Sequence, residues 1–268
     1  MMMSARSQKI LQKIYHVLFQ AFGPQYWWPA KSKFEVIVGA ILTQNTNWKN
    51  VEKALNNLKK AKVLSPQALY KLPSDQLAAL IKPAGYFNVK AKRLKNFINF
   101  LVEEFHGDLI SMGKLSCEDL REKLLQINGI GPETADSILL YALDKPIFVV
   151  DAYTRRFLYR HNMIDAQATY QDVQNLFMQN LQGEPQLFNE YHALIVRLGK
   201  EYCKPHPQCA KCPLSDFHYS LKNRCSHCYR ALLKNEKRFP RQRTSHADKS
   251  LLYLCQYCVS SSLHQTKV

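Results

Sequence analysis

Helical periodicity with no sustained alternation is the feature that most narrows what this chain can fold into. Ile10, Leu11, Ile14, Tyr15, Leu18 and Phe22 recur at steps of three and four, the spacing of one helix face, and the pattern stops at Gly23-Pro24. Similar patterns predict helices over roughly 32–43, 47–61, 73–81, 89–105, 117–126, 133–143, 152–161, 169–181 and 185–199. The run Pro146-Ile-Phe-Val-Val150 has the composition of a strand, but it is short and isolated. There is no internal repeat and no low-complexity segment. Many helices joined by short Gly- or Pro-marked links indicate an all-α fold.

Composition excludes several classes. With 46% hydrophobic residues in 268, the chain has enough apolar surface for a real core and is not a disordered protein. Its longest apolar run, Phe34 to Leu42, is nine residues and contains Glu35, far short of the ~20 needed to span a bilayer. The start, MMMSARSQKI, carries charge but no apolar stretch follows, so no secretory signal is expected and a cytoplasmic protein is. Thirty-seven Lys and Arg against 21 Asp and Glu give a net charge of +16, which favours a polyanionic partner, nucleic acid before membrane. From Lys200 onward there are 13 basic and 4 acidic residues, so +9 of that charge sits at the end of the chain. The plain alternative for a basic tail is a solvated arm.

The cysteines are as uneven as the charge. Cys117 stands alone, whereas Cys203, Cys209, Cys212, Cys225, Cys228, Cys255 and Cys258 crowd the last quarter and include three Cys-x-x-Cys pairs. In a chain without export signals this favours metal over disulfides.

The most informative segment runs from Leu124 to Arg156. A helix ending at Gln126 meets Asn128-Gly129-Ile130-Gly131, and another starts at Pro132, a residue suited to the first helical position. Two glycines permit a tight turn whose N–H groups point outward, and the next helix adds its positive end, so the hairpin can hold a DNA phosphate without reading sequence. An ordinary αα-hairpin would look the same to this point. Farther on, the apolar run ends in Asp151-Ala-Tyr-Thr. Asp151 reads as a helix N-cap, or as a cap that also brings a carboxylate to the mouth of a cleft, where it can stabilise positive charge on a sugar or orient a water.

On these residues the chain resembles the endonuclease III superfamily of helix-hairpin-helix DNA glycosylases, over roughly residues 8–212. The likeness rests on Phe34-Glu-Val-Ile-Val-Gly-Ala-Ile-Leu-Thr-Gln-Asn-Thr46, on Gly85-Tyr-Phe-Asn-Val-Lys-Ala-Lys92, on the hairpin, and on Val150-Asp151. Trp27-Trp28-Pro29, Leu42-Thr-Gln-Asn-Thr46 and Val149-Val150-Asp151 are similar to the 3-methyladenine DNA glycosylase III branch.

The resemblance implies two helical lobes with DNA across the cleft between them. One is a six-helix lobe at 31–145; the other joins 1–30 to 146–200. A cysteine-rich metal loop follows at 201–228 and a basic tail at 229–268. The target nucleotide would be flipped into the cleft. Asp151 matches the catalytic aspartate, and Gly129, Ile130 and Gly131 match the phosphate-holding hairpin. Strand-cleaving members carry a Schiff-base lysine where this chain has Glu133, and a carboxylate cannot form an imine. The expectation is therefore a monofunctional enzyme that releases the base by attack of water and leaves an abasic site.

Further positions follow by the same likeness. Trp27 and Trp28 would stack an alkylated, cationic base such as 3-methyladenine, with core packing as the alternative. Glu133 would face that base. Lys200 would lie near the cleft or contact a phosphate. Gln44 would fill the gap left by the flipped nucleotide, and Tyr86 and Phe87 would wedge against the opposite strand, unless Phe87 caps the core. Lys90, Lys92, Arg93 and Lys95 would suit the DNA backbone or form a solvated face.

Family members often carry a [4Fe–4S] cluster with six, two and five residues between successive cysteines. Here five residues separate Cys203 from Cys209 and two separate Cys209 from Cys212; the fourth position falls near His218, so Cys225 is the candidate fourth ligand. Zinc on Cys209, Cys212, Cys225 and Cys228 is the alternative. The partner would be double-stranded DNA with a damaged base, bound by a monomer. Two other functions stay open: a glycosylase and lyase acting on oxidised pyrimidines, and a helix-hairpin-helix protein that only binds DNA.

Overall fold

The computed structural model describes residues 5–28 and 30–218, and these contain helices, turns and extended links but no strand. Cys225, Cys228, Cys255, Cys258 and the basic tail lie outside the described residues. Among the described residues no helix is long and apolar enough to cross a membrane.

The chain begins with α1 (Ala5–Phe22), which buries Leu11, Ile14 and Leu18 against the C-terminal helix α12 (Pro185–Glu201). The Tyr191 hydroxyl of α12 donates to the Leu11 carbonyl at 2.9 Å. The central helix α2 (Lys33–Leu42) is buried along its whole length from Phe34, as a helix apolar on every side has to be. Its N-cap is Ser32, and the buried Glu35 carboxylate accepts from the Lys31 N–H and pairs with Lys59.

Against α2 pack α3 (Trp48–Lys60), α6 (Phe87–Phe105) and α9 (Pro132–Ser137), the last continuing as a π-helical turn, Ile138–Ala142; α4 (Pro66–Lys71), α5 (Ser74–Leu80) and α7 (Leu109–Gly113) lie on α6, and α8 (Cys117–Gln126) lies on α9. Periodicity misses α4 and α7 because each is hardly more than one turn. Their N-caps are Ser65, followed by Pro66 at the first helical position, and Asp108.

Two features depart from the sequence expectation. Residues 147–150 are buried, yet pair with no strand. The Ile147 N–H turns back onto the Lys145 carbonyl, and side chains take two further groups: the Val150 N–H donates to the Tyr170 hydroxyl at 3.3 Å, and the Phe148 carbonyl accepts from Gln174 at 2.7 Å. Lys90 is not on a DNA-facing surface. It is 1% exposed, and its ammonium donates to the carbonyls of Leu42 (2.9 Å) and Ala84 (2.8 Å), joining the end of α2 to the turn before α6. Burial, with Arg93 nearby, lowers its pKa. Lys95 is likewise occupied, donating to the carbonyls of Leu69 and Tyr70, whereas Lys92 is exposed.

After this segment come α10 (Ala152–Arg160) and α11 (Tyr170–Met178), and α10 lies against α12. That approach needs a glycine: a Cβ on Gly199 would stand 2.3 Å from the Tyr153 ring. A buried polar knot ties these parts together. Asp136 of α9, with no solvent exposure, accepts from Arg121 of α8 (2.6 and 3.2 Å) and from Tyr170 and Gln174 of α11 (both 2.7 Å).

Replacing Asp136 with Asn should cost about 3 kcal/mol or more in urea unfolding, because one amide cannot accept from all these donors and the Arg121 charge is left unpaired.

Candidate active site

Hairpin geometry comes first. Gly129 sits at φ +98°, and a Cβ there would stand 2.2 Å from Cγ of Arg93, so both conformation and packing demand glycine. Gly131 has an ordinary φ of −95° and open space around it. Ile130 is 4% exposed: its side chain anchors the turn in the core, and its N–H closes the turn onto the Ile127 carbonyl at 3.0 Å. Any DNA contact from this residue is therefore made by the backbone around it.

Gln44, just beyond α2, is tied to the same turn. Its amide donates to the Gly129 carbonyl (3.1 Å) and the Thr134 hydroxyl (3.0 Å), and its oxygen accepts from Arg93. Tyr86, in left-handed backbone, is 73% exposed, while Phe87 is half-buried against the core.

Asp151 caps α10. One oxygen, Oδ1, accepts from the Thr154 N–H (2.7 Å) and the Thr154 hydroxyl (2.8 Å). The other, Oδ2, lies 3.7 Å from Nε2 of the buried His192, whose Nδ1 is 2.6 Å from the Tyr141 hydroxyl. Glu133 is exposed at the head of α9, but surrounding protein first, and the Asp151 charge second, push its carboxyl up to about 7. Two carboxylates thus share this region, and their mutual repulsion favours keeping one protonated near neutral pH.

Aromatic groups form the next wall. Trp28 meets Trp48 edge-on (5.1 Å between ring centroids) and lies 5.2 Å from Tyr141, so it is largely a packing residue. Trp27, 5.5 Å from Trp28, carries the Lys200 ammonium 5.6 Å above its ring. The structure therefore brings Trp27, Glu133, Asp151 and Lys200 into one neighbourhood. Tyr141 and His192 also belong to it, and the sequence reading missed both. Each lies on an apolar stretch and reads as core; the only hint was a titratable residue in Tyr191-His-Ala-Leu-Ile-Val196.

Cys203, Cys209 and Cys212 line one pocket with Arg160, His161 and Tyr202, and Arg160 donates to the Cys203 sulfur at 3.3 Å. Burial pushes the Cys212 thiol up to about 11 and raises Cys209 as well, so a metal's charge is what would hold them as thiolates. Among the described residues no three His, Cys, Asp or Glu side chains converge on a single ion. The three cysteines share this pocket without converging, and the candidate fourth ligand, Cys225, falls outside the described residues.

Residues 38–182 match the HhH-GPD superfamily of base excision DNA repair proteins. The chain is 48% identical to a Methanocaldococcus jannaschii protein named a putative DNA repair glycosylase, over 78% of this chain and 96% of that one. Among solved structures it is similar to the Helicobacter pylori 3-methyladenine DNA glycosylase MagIII bound to 1,N6-ethenoadenine, with 30% identity, a TM-score of 0.63, and coverage of 73% of this chain and 97% of that one. An endonuclease III–DNA complex shares the fold at 19% identity, with a TM-score of 0.68 over 81% and 95% of the two chains. The chain belongs to the HhH-GPD superfamily. It is a DNA N-glycosylase of base-excision repair, a hydrolase of N-glycosyl bonds.

Although the sequence makes the two hairpin glycines look equivalent, Gly129→Ala should destabilise by roughly 1–3 kcal/mol and Gly131→Ala by less than about 0.5 kcal/mol, read from urea midpoints. The raised Glu133 carboxyl contributes stability that is complete below about 4.5 and is lost as pH rises through about 7. Glu133→Gln should flatten the stability profile across that window, measured by thermal unfolding at several pH values.

Proposed function

We propose that this glycosylase is monofunctional and excises an alkylated purine of the 3-methyladenine type from double-stranded DNA, acting as a monomer. The observation that carries the reading is Glu133 beside Asp151. A carboxyl group stands where strand-cleaving relatives are expected to carry lysine, and its pKa is raised first by the protein around the carboxyl and second by the Asp151 charge. No amine at that place can attack C1′ of the sugar.

Asp151 would act through Oδ2, since Oδ1 is committed to Thr154. As the C1′–N bond breaks, its electron pair leaves with the base, and the carboxylate stabilises the oxocarbenium-like sugar. Water then bonds to C1′ and gives up a proton, leaving an abasic site. A cationic 3-alkyladenine departs without strong acid help, and Trp27, which already carries the Lys200 ammonium, offers a ring face suited to a cation. The 1,N6-ethenoadenine bound to the H. pylori glycosylase, a modified purine, supports a purine pocket.

The hairpin at 129–131 would hold a phosphate, with Gln44 and Tyr86 entering the duplex and Phe87 supporting them from the core. Gln44 would first release its bonds to Gly129 and Thr134. A [4Fe–4S] cluster on Cys203, Cys209, Cys212 and Cys225, or zinc in its place, would be structural, holding a basic loop beside the DNA and taking no part in base release.

Methylated duplex DNA should release free 3-methyladenine with strands intact, and borohydride should trap no covalent complex. Asp151→Asn should lower release by at least about a hundredfold while DNA affinity is kept or increased. Trapping by borohydride, or full activity in Asp151→Asn, would overturn this mechanism.

A further inference from the structure

His192 is 5% exposed, and its Nε2 has no hydrogen-bond partner, an expensive arrangement for a buried polar atom. That nitrogen is aimed at Oδ2 of Asp151 from 3.7 Å, about half an ångström beyond hydrogen-bond range. The ring's other nitrogen is fixed at 2.6 Å from the Tyr141 hydroxyl. We propose that His192 is a positioning residue for Asp151: Tyr141 holds the imidazole as the Nε2–H tautomer, and this N–H closes on Oδ2 when DNA is bound, keeping the carboxylate turned toward the sugar.

The tautomer follows from the surroundings. The Asp151 carboxylate, which only accepts, lies opposite Nε2 and favours a hydrogen on that nitrogen, while the Tyr141 hydroxyl, its pKa raised by burial and then by the charges of Asp151 and Glu133, keeps a proton to donate to Nδ1. Nδ1 is then an acceptor and Nε2 carries the hydrogen. The groups facing the ring are Asp151 at the head of α10, Tyr141 on the π turn, Lys200 on α12, and the apolar edge of Phe148. Burial and Lys200 lower the His192 pKa against the opposing pull of Asp151, so the ring is neutral at physiological pH. A neutral donor orients the carboxylate without pairing with it as a cation, and it adds no positive charge where a cationic base would bind. Protonation would reverse both effects, so activity should fall as pH drops through the depressed pKa of His192.

This inference rests on the glycosylase reading, and two measurements separate their failures. Imidazole ¹⁵N spectra of the wild-type protein should show His192 protonated at Nε2; a ring protonated at Nδ1 overturns the proposal whatever the activity. In single-turnover base release, His192→Leu and Tyr141→Phe should be slower by roughly tenfold near neutral pH with DNA affinity unchanged. His192→Gln, which keeps an N–H donor that does not titrate, should stay within about threefold of wild type and remain active to lower pH. Equal rates in all three variants, or a Gln variant as slow as Leu, would sink the positioning role. No release by the wild-type protein from any damaged duplex would refute the glycosylase reading itself, leaving the tautomer as the test of the His192 geometry.

Discussion

Asp136 is a carboxylate without access to water, and the path of the chain into Asp151 depends on it. A buried carboxylate is costly unless every lone pair finds a donor, and here the donors come from α8 and α11. Because Tyr170 and Gln174 also hold the backbone of Val150 and Phe148, the run before Asp151 has little freedom. Asp151, the proposed catalytic residue, is thus placed by a network that it does not itself join. Polar bonding takes the role that a sheet neighbour would have, which is why strand-like residues occur here in an all-helical protein.

The site works by dividing roles among groups of similar chemistry. Asp151 has one oxygen fixed by Thr154 and one facing the buried His192 ring, while Glu133 is pushed toward protonation by its surroundings. His192 and Lys200 are both potential cations, but burial lowers the pKa of one and the other lies over an indole face. Net positive charge suits a polyanionic partner such as DNA, while around Asp151 the fold biases which groups are charged.

Much of this was legible in the sequence, for identifiable reasons. The long helices have periodic apolar faces, and the hairpin has its glycines and proline, so both are encoded locally. The neighbourhood of Trp27, Glu133, Asp151 and Lys200 was readable only through likeness to a family, because these residues come from four separate stretches of chain. Lys90 could not be placed, since nothing local says that two carbonyls elsewhere will surround its ammonium. Tyr141 and His192 were hidden for a related reason: a polar atom in an apolar helix shows its purpose only when its partner on another helix is known. Ile130 is a mixed case, in which the hairpin was recognised but the inward turn of its side chain was not.

The buried ammonium of Lys90 has a mechanical consequence. It binds the carbonyl two residues before Gln44 and the carbonyl two residues before Tyr86, which places both proposed DNA-entering groups on one rigid bracket. The separation of the two backbone segments that carry them is then set by the protein, like the gap between the jaws of a calliper. A duplex would have to open to that gauge before either group could seat, so the enzyme would respond to how easily a base pair yields before any base reaches the pocket.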